Sequence, residues 1–373
     1  MSDHRARFEV PGPGPYMLSH SVGCLPRTAR ARVERDLWQP WATLGSDGWP
    51  EWLGAIDRFR AVLAGLFAVE AREICPQPSV SAALASLLSG LPREAGRDRL
   101  VASAHSFPSI GFALQQFERL GYRLDLIPED EDPSSPETWT RRIDGSVAAV
   151  VAMHVHSNLG LIAPAAAIAA AARGAGAVSI LDICQSAGIV PIDLPMLGVD
   201  AAIGSCVKWL CGGPGAGYLW VRGDRLADFA PVNVGWFSHA DPFAFDIHDF
   251  RYADDARRFW GGTPSIAPYV LATAGIEAIA EIGVDAVFAH NRAFIAAFAD
   301  AAEVDLDVGG RGGTLCLTAA DIAAVADALT RLPCRFDRRG TVLRLSPHIY
   351  NTVGEAEAIG QRLRGQRLAL ARI

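Results

Sequence analysis

Lysine is almost absent from this chain. Lys and Arg together number 34, and a single lysine, Lys208, stands among 33 arginines. A guanidinium stays protonated and cannot act as an amine nucleophile, whereas a lysine amine of lowered pKa can. Wherever only positive charge is needed, this chain uses Arg. Lys208 is therefore a candidate for covalent chemistry. The alternative is compositional drift that spared one surface lysine, and the neighbours of Lys208 decide between the two.

Other absences narrow the field. The longest Ala-rich apolar run, Leu161 to Ala172, contains Pro164 and stops at Arg173, too short to span a bilayer. The N-terminal stretch MSDHRARFEVPGPGPYM lacks the apolar core of a signal peptide. The seven cysteines form no CxxC and no paired framework, which suits reduced thiols in the cytoplasm. A net charge of −7 leaves no basic face for nucleic acid. His20, His105 and His239 have no metal-ligand spacing, so no metal is expected.

What is present suits a large domain joined to a smaller one: 373 residues, 50% of them hydrophobic. Residues 1–45 read as an extended arm, 46–282 as the large domain and 283–373 as a small C-terminal one. A helix near Gly54–Val69 presents Ile56, Phe59, Leu63, Leu66 and Phe67 on one face. Short apolar runs follow at Leu100–Ala104, Tyr122–Ile127, Val147–Met153, Ala177–Ile183 and Val199–Gly204. They alternate with helical patterns near Ile110–Leu120 and Pro164–Arg173. This alternation predicts an α/β fold with a mainly parallel sheet covered on both faces. Gly217–Val221 reads as a returning strand, and Ile266–Ile279 and Val284–Ala302 as helices. The last 70 residues or so mix short strands and helices, as a smaller α+β domain would.

In an open α/β sheet, ligands bind outside the carboxyl ends of the strands. Asp182 ends one predicted strand, and Ser205 and Lys208 follow another. Ser79 precedes the helix near Val80–Gly90, whose free N–H groups favour a phosphate. His105, Phe107 and Ser109 follow the strand LVASA. Pyridoxal phosphate asks a protein for a lysine, a carboxylate at its ring nitrogen, phosphate donors and a flat partner for its ring. Lys208, Asp182, Ser79 with Ser205, and Phe107 could supply these in turn. Phe107 could be core, but its place after a strand favours stacking; Trp236 could as readily be core.

The run DICQSAGIVPIDLPMLGVDAAIGSCVKWLCGGPGAGYLWVR resembles the centre of the class V aminotransferase group of fold-type I pyridoxal-phosphate enzymes. HSVGCLP at 20–26, HSFPSIGF at 105–112, NVGWFSHA at 233–240, RFWGGTP at 258–264 and LRLSPHIYNT at 343–352 resemble kynureninase-like proteins within it. The resemblance implies pyridoxal 5'-phosphate as cofactor, held as a Schiff base on Lys208. Asp182 would face the ring nitrogen, and Phe107 would stack on the ring. Ser79, with Val80 after it, and Ser205 would bind phosphate; Ser109 would line the same site. Trp236 and Thr263 would reach the phosphate of a neighbouring subunit, which implies a homodimer. Arg344 would clamp the substrate carboxylate, a two-point task suited to a guanidinium, unless it pairs with Asp337. Ser21 would approach the substrate.

Three positions depart from the kynureninase pattern: Val207 replaces a tyrosine, Ile110 an aspartate and Gln185 a histidine. The DxxQ spacing and the Ser-x-x-Lys spacing resemble cysteine desulfurases, where the Gln bonds the cofactor's phenolic oxygen. Desulfurases also use a mobile cysteine, for which Cys334 is the candidate, although most such cysteines are inert and buried. The expected activity is cleavage at the β-carbon of an amino acid, hydrolytic and kynureninase-like. Cβ–S cleavage of a cysteine derivative and class V transamination are the alternatives. Purified protein supplied with pyridoxal phosphate should turn yellow, and borohydride reduction should leave the phosphopyridoxyl group on the Lys208 peptide. A colourless protein with no such peptide overturns the assignment.

Overall fold

The computed structural model describes residues 4–373. Its main sheet has seven strands: β1 (Ile74–Gln77), β2 (Arg99–Ser103), β3 (Arg123–Ile127), β4 (Val147–Met153), β5 (Val178–Asp182), β6 (Ala201–Ser205) and β7 (Gly217–Val221). Their order is β1-β7-β6-β5-β4-β2-β3. Strands β2 to β6 pair in parallel. β7 runs antiparallel to both β6 and β1. Six of the seven lie where the apolar runs predict them. The exception is β1, ICPQ, too short and too interrupted by Pro76 to register as a strand. It is an edge strand, where a proline costs least.

The central strands are buried along their whole length, as strands covered on both faces must be. One layer of the core sets α1 (Trp49–Phe67) and α4 (Ala165–Ala175) against the sheet. Ile56, Phe59, Leu63 and Phe67 form the buried face of α1, as its periodicity predicts, with Leu66 at the margin. The opposite face is covered by α2 (Val80–Ser89) and α3 (Pro108–Glu118). α5 (Ala267–Ile282) packs on α1, and its Gly275 has no room for a side chain. A Cβ there would lie 2.3 Å from the Leu210 carbonyl oxygen.

The C-terminal part is α+β. Strands β8 (Leu315–Ala319), β9 (Asp337–Arg339), β10 (Val342–Leu345) and β11 (Leu368–Leu370) form an antiparallel sheet in the order β9-β10-β8-β11. Helices α6 (Val284–Ala302), α7 (Ile322–Arg331) and α8 (Val353–Leu363) pack with it around Phe294, Phe298, Leu317, Leu343 and Ile359.

The arm differs from its expectation. Only its first part is extended, with Phe8–Glu9 paired to Leu25–Pro26. From Ala29 to Leu44 it is helical in three short pieces. Ala29, Val33 and Leu37 recur every four residues, a helical spacing that the surrounding arginines obscure. Between these parts the arm threads the molecule. Tyr16 and Leu18 bridge to Arg335 and Ser346 of the C-terminal part. The Gly23 N–H donates to the Val207 carbonyl at 2.8 Å. A Cβ on Gly23 would fall 2.1 Å from the Lys208 carbonyl oxygen, so only glycine lets the arm pass there. No helix among the described residues is long and apolar enough to cross a membrane.

Candidate active site

The strand register gathers the polar residues at one edge of the main sheet. Ser205 lies opposite Gly217, and Gly217 opposite Gln77, so the ends of β6 and β1 are separated only by a glycine. A Cβ on Gly217 would sit 3.1 Å from Ser79 Cα and 2.8 Å from the Gln77 carbonyl oxygen. The missing side chain lets the turn at Ser79 close against β7. Ser79 is extended (φ −164°) and caps α2, its Oγ accepting the Ala82 N–H at 3.1 Å. The first N–H groups of α2, that of Val80 included, have no intrahelical acceptor and form an anion-binding end. Ser79, Val80 and Ser205 thus surround one cradle.

Lys208 follows β6 in a compact turn. The Cys206 N–H donates to Ala216, that of Gly212 to Cys206, and that of Cys211 to the Lys208 carbonyl. Lys208 Nζ lies 5.6 Å from the centroid of the Phe107 ring. Phe107 stands at the N-terminus of α3, its N–H directed at Met153 Sδ, with Ser109 in the next turn. Met153 is in turn the register partner of Asp182. Asp182 is buried, and its Oδ1 accepts the Cys184 N–H at 2.9 Å. Burial, then the Asp182 charge, push the Cys184 thiol well up, so it stays protonated.

Gln185 is held at both ends. Its Nε2 donates to the His20 carbonyl at 3.1 Å, and its Oε1 accepts the Trp209 indole N–H at 3.2 Å. One N–H of the amide remains for another acceptor. His154 and His156 leave β4 nearby. The His154 ring bonds Ser186 Oγ at 3.0 Å. His156 is buried beside the His105 ring, and neither of its ring nitrogens has a partner among the described residues.

A second group forms where the C-terminal sheet meets this edge. Arg344, on β10, is buried; it pairs with Asp337 on β9 and donates to the Ser157 carbonyl at 3.1 Å. The ion pair weighed from the sequence therefore exists, but it is buried on the Arg344 side. His20 Nε2 lies 3.4 Å from the same Asp337 oxygen, and His20 Nδ1 2.7 Å from Ser346 Oγ. A carboxylate only accepts, so Nε2 carries the proton and Ser346 donates to Nδ1. Burial, then the Arg344 charge, lower the His20 pKa to about 3, so its ring is neutral. The Arg339 guanidinium lies 5.7 Å from the Phe107 centroid, the same ring that faces Lys208.

Most of the residues picked out by the sequence converge. Ser21 is exposed, and it is the preceding His20 whose side chain joins the cluster. Trp236 and Thr263 stand apart. Trp236 packs on Trp49, Phe237, Phe243 and Phe245, and Thr263 is exposed. Cys334 is buried in the C-terminal core and its thiol is pushed up to about 12, mainly by burial. A nucleophilic thiol needs an exposed, electropositive setting, and Cys334 has none. His20 and Arg339 were not picked out. Their signal lies in proximity to motifs: one residue before Ser21, and in the hairpin leading to Arg344.

Comparison with known proteins agrees with this geometry. The family model for aminotransferase class-V matches residues 53–302. A kynureninase of Deinococcus radiodurans is 30% identical over 297 residues, 77% of this chain and 70% of its own. This chain belongs to the class V aminotransferase family. The family lies within the fold-type I pyridoxal-phosphate enzymes, so the chain is a pyridoxal-phosphate enzyme. An uncharacterized aminotransferase of Bacillus subtilis is also 30% identical, covering 82% of both chains. Among solved structures, a cystine C–S lyase bound to cysteine persulfide superposes with a TM-score of 0.81 at 20% identity, covering 94% of this chain and 97% of that one. The cysteine desulfurase of Thermococcus onnurineus NA1 gives 0.79 at 19%, covering 96% of each. The residues described above fit the cofactor: a lysine beside an aromatic face, a buried carboxylate and a glycine-backed anion cradle.

Four buried histidines make the fold acid-sensitive. Burial, the largest cause in each, lowers His20 to about 3 and His154, His156 and His348 to about 4 from an ordinary 6.5. Groups whose pKa falls on folding take up protons more readily when unfolded. Their contribution is therefore complete above about pH 6.5 and is lost as pH falls from there towards 4. Each costs roughly 1.4 kcal/mol per pH unit across that window. Urea unfolding at pH 7, 6 and 5 should show a steadily falling midpoint. A midpoint constant over this range would mean that these rings are not buried in neutral form.

Proposed function

We propose that this enzyme cleaves a bond at the β-carbon of an amino acid, most readily the Cβ–Cγ bond of a kynurenine-like substrate. The observation that carries the reading is that Lys208 Nζ and the Arg339 guanidinium lie 5.6 and 5.7 Å from the centroid of one ring, Phe107, while buried Arg344 and Arg339 share Asp337. When bound, pyridoxal phosphate supplies an electron sink that makes the α-proton acidic. Lys208 Nζ would hold the cofactor, be displaced by the substrate amine, and then take the α-proton as general base. Asp182 would keep the ring nitrogen protonated, Phe107 would cover the ring, and Ser79, Val80 and Ser205 would hold the phosphate. The remaining N–H of Gln185 would reach the phenolic oxygen. Arg344 would take the α-carboxylate. In the hydrolytic reaction, water adds to the side-chain carbonyl and the Cβ–Cγ bond breaks. The acyl fragment leaves as a carboxylic acid, and Cβ gains a proton to give alanine.

Similarity to kynureninases supports this reading. Gln185 and Val207 favour a second one, Cβ–S cleavage of a cysteine derivative, and the likeness to a C–S lyase fold is compatible with it. The burial of Cys334 then favours release of the sulfur compound over its capture by that thiol. Incubation with L-kynurenine, L-3-hydroxykynurenine and an S-alkyl cysteine, followed by mass spectrometry, separates the readings. Anthranilate or its hydroxy form with alanine is expected from the first pair. Pyruvate, ammonia and a thiol from the third select the second reading, and turnover of none of them sinks both.

We also propose that the active unit is a homodimer in which Trp236 and Thr263 serve the partner's phosphate cradle. Trp236 is surrounded by exposed apolar side chains, Phe243, Phe245 and Ile247, and its contacts lie outside the Lys208 site of its own chain. Light scattering should give a mass near twice that of one chain, and a fully active monomer would refute the assignment.

A further inference from the structure

Arg344 already holds a carboxylate, and that carboxylate belongs to the protein. Asp337 Oδ2 is bonded to Arg344, faces His20 Nε2 at 3.4 Å and lies 3.7 Å from Arg339 Nε. Three observations separate this from an ordinary buried ion pair. The first is asymmetry: the Asp337 side chain is 31% exposed and that of Arg344 only 2%. Asp337 belongs to β9, a three-residue edge strand, followed by Gly340 at φ +57°. It can swing outward without opening the core. The second is a waiting partner. Arg339 is 42% exposed and stands at the mouth, over Phe107. The third is an unfilled donor: Arg344 Nε is buried with no partner among the described residues, so Asp337 does not exhaust the guanidinium.

We infer that Asp337 is a built-in competitor for Arg344 that any incoming carboxylate must displace, turning to Arg339 as it yields, so that only a ligand with a second anchor binds tightly. The inference rests on the reading of Arg344 as the substrate clamp. A tethered carboxylate competes at high effective concentration. A simple acid offers Arg344 only what Asp337 already gives. An amino acid is also held through its amine at the Lys208 end, and this second anchor lets it win. The charges agree. Arg344 and Arg339 are cationic, Asp337 anionic and His20 neutral, leaving one positive charge for one incoming carboxylate. Burial together with Arg344 also lowers the Arg339 pKa, the mark of a guanidinium held near another cation.

The test uses the holoenzyme and two probes. L-Alanine is titrated by the absorbance of the bound cofactor, and propionate by competition against L-alanine and by melting temperature. In the parent, L-alanine should bind and propionate should bind far more weakly. Asp337→Asn keeps the shape and removes the charge, so L-alanine and propionate should both bind about tenfold more tightly, with their ratio little changed, because each displaces the same carboxylate. Propionate should raise the melting temperature of this variant more than that of the parent, and Asp337→Ala should behave likewise. Arg339→Gln should weaken L-alanine severalfold, because the displaced carboxylate has lost its second partner. Unchanged affinity for both probes in both Asp337 variants overturns the proposal. Arg344→Gln tells the two failures apart. Loss of L-alanine binding in this variant upholds the clamp, so that unchanged affinities in the Asp337 variants then count against Asp337 alone. Retained binding sinks the clamp, and the competitor with it.

Discussion

A guanidinium taken out of water must be matched by charge and hydrogen bonds, and burial of Arg344 imposes that demand on three separate parts of the chain. Asp337 comes from an edge strand of the small sheet and the Ser157 carbonyl from the loop after β4, while His20 from the arm, braced by Ser346, acts one step out by donating to Asp337. Removing any one partner would leave a buried donor or charge uncompensated. The cluster therefore fixes where the small sheet sits over the main one. The main sheet in turn sets Asp182 by strand register, and Lys208 and Phe107 by the hydrogen-bonded turns that follow its strands, needing no ion pair to do so. The two halves of the site are thus held by different physics, apolar packing below and electrostatics above.

The lower half was legible in the sequence. Period and length mark β2 to β7, because a strand buried on both faces is a plain apolar run. Asp182, Ser205 and Lys208 follow such runs, and a parallel sheet brings all of its carboxyl ends to one edge. The upper half was not. His20 and Asp337 are 317 residues apart, and nothing local announces that they meet. In extended chain a shift of one residue turns a side chain to the opposite face, and the arm shows this where Ser21 faces out while His20 faces in. Strand β1 escaped notice for a different reason. Four residues with a proline carry too little pattern, and only the antiparallel partner β7 makes them a strand.

The scarcity of lysine gains meaning beside this architecture. The positive charges of the upper half, Arg344 and Arg339, perform tasks of planar, permanent charge. The lower half holds the one lysine, beside Phe107. A chain that uses Arg everywhere else keeps these two kinds of chemistry on different residue types. The same separation holds for the thiols. All seven cysteines are free and buried, and they act as small apolar side chains.

The close fit of Gly23 over the Lys208 carbonyl has a bearing on how the molecule assembles. The segment around Gly23 is made long before its neighbours Val207, Arg335 and Ser346, the last of them some 300 residues later. Such long-range contacts form late, because the loop they close is costly until the rest is in place. The beginning of the chain must therefore wait, undocked, while the main sheet forms. Once the C-terminal sheet has been made, this segment has both of its supports, passing over the Lys208 carbonyl on one side and bridging to Arg335 and Ser346 on the other.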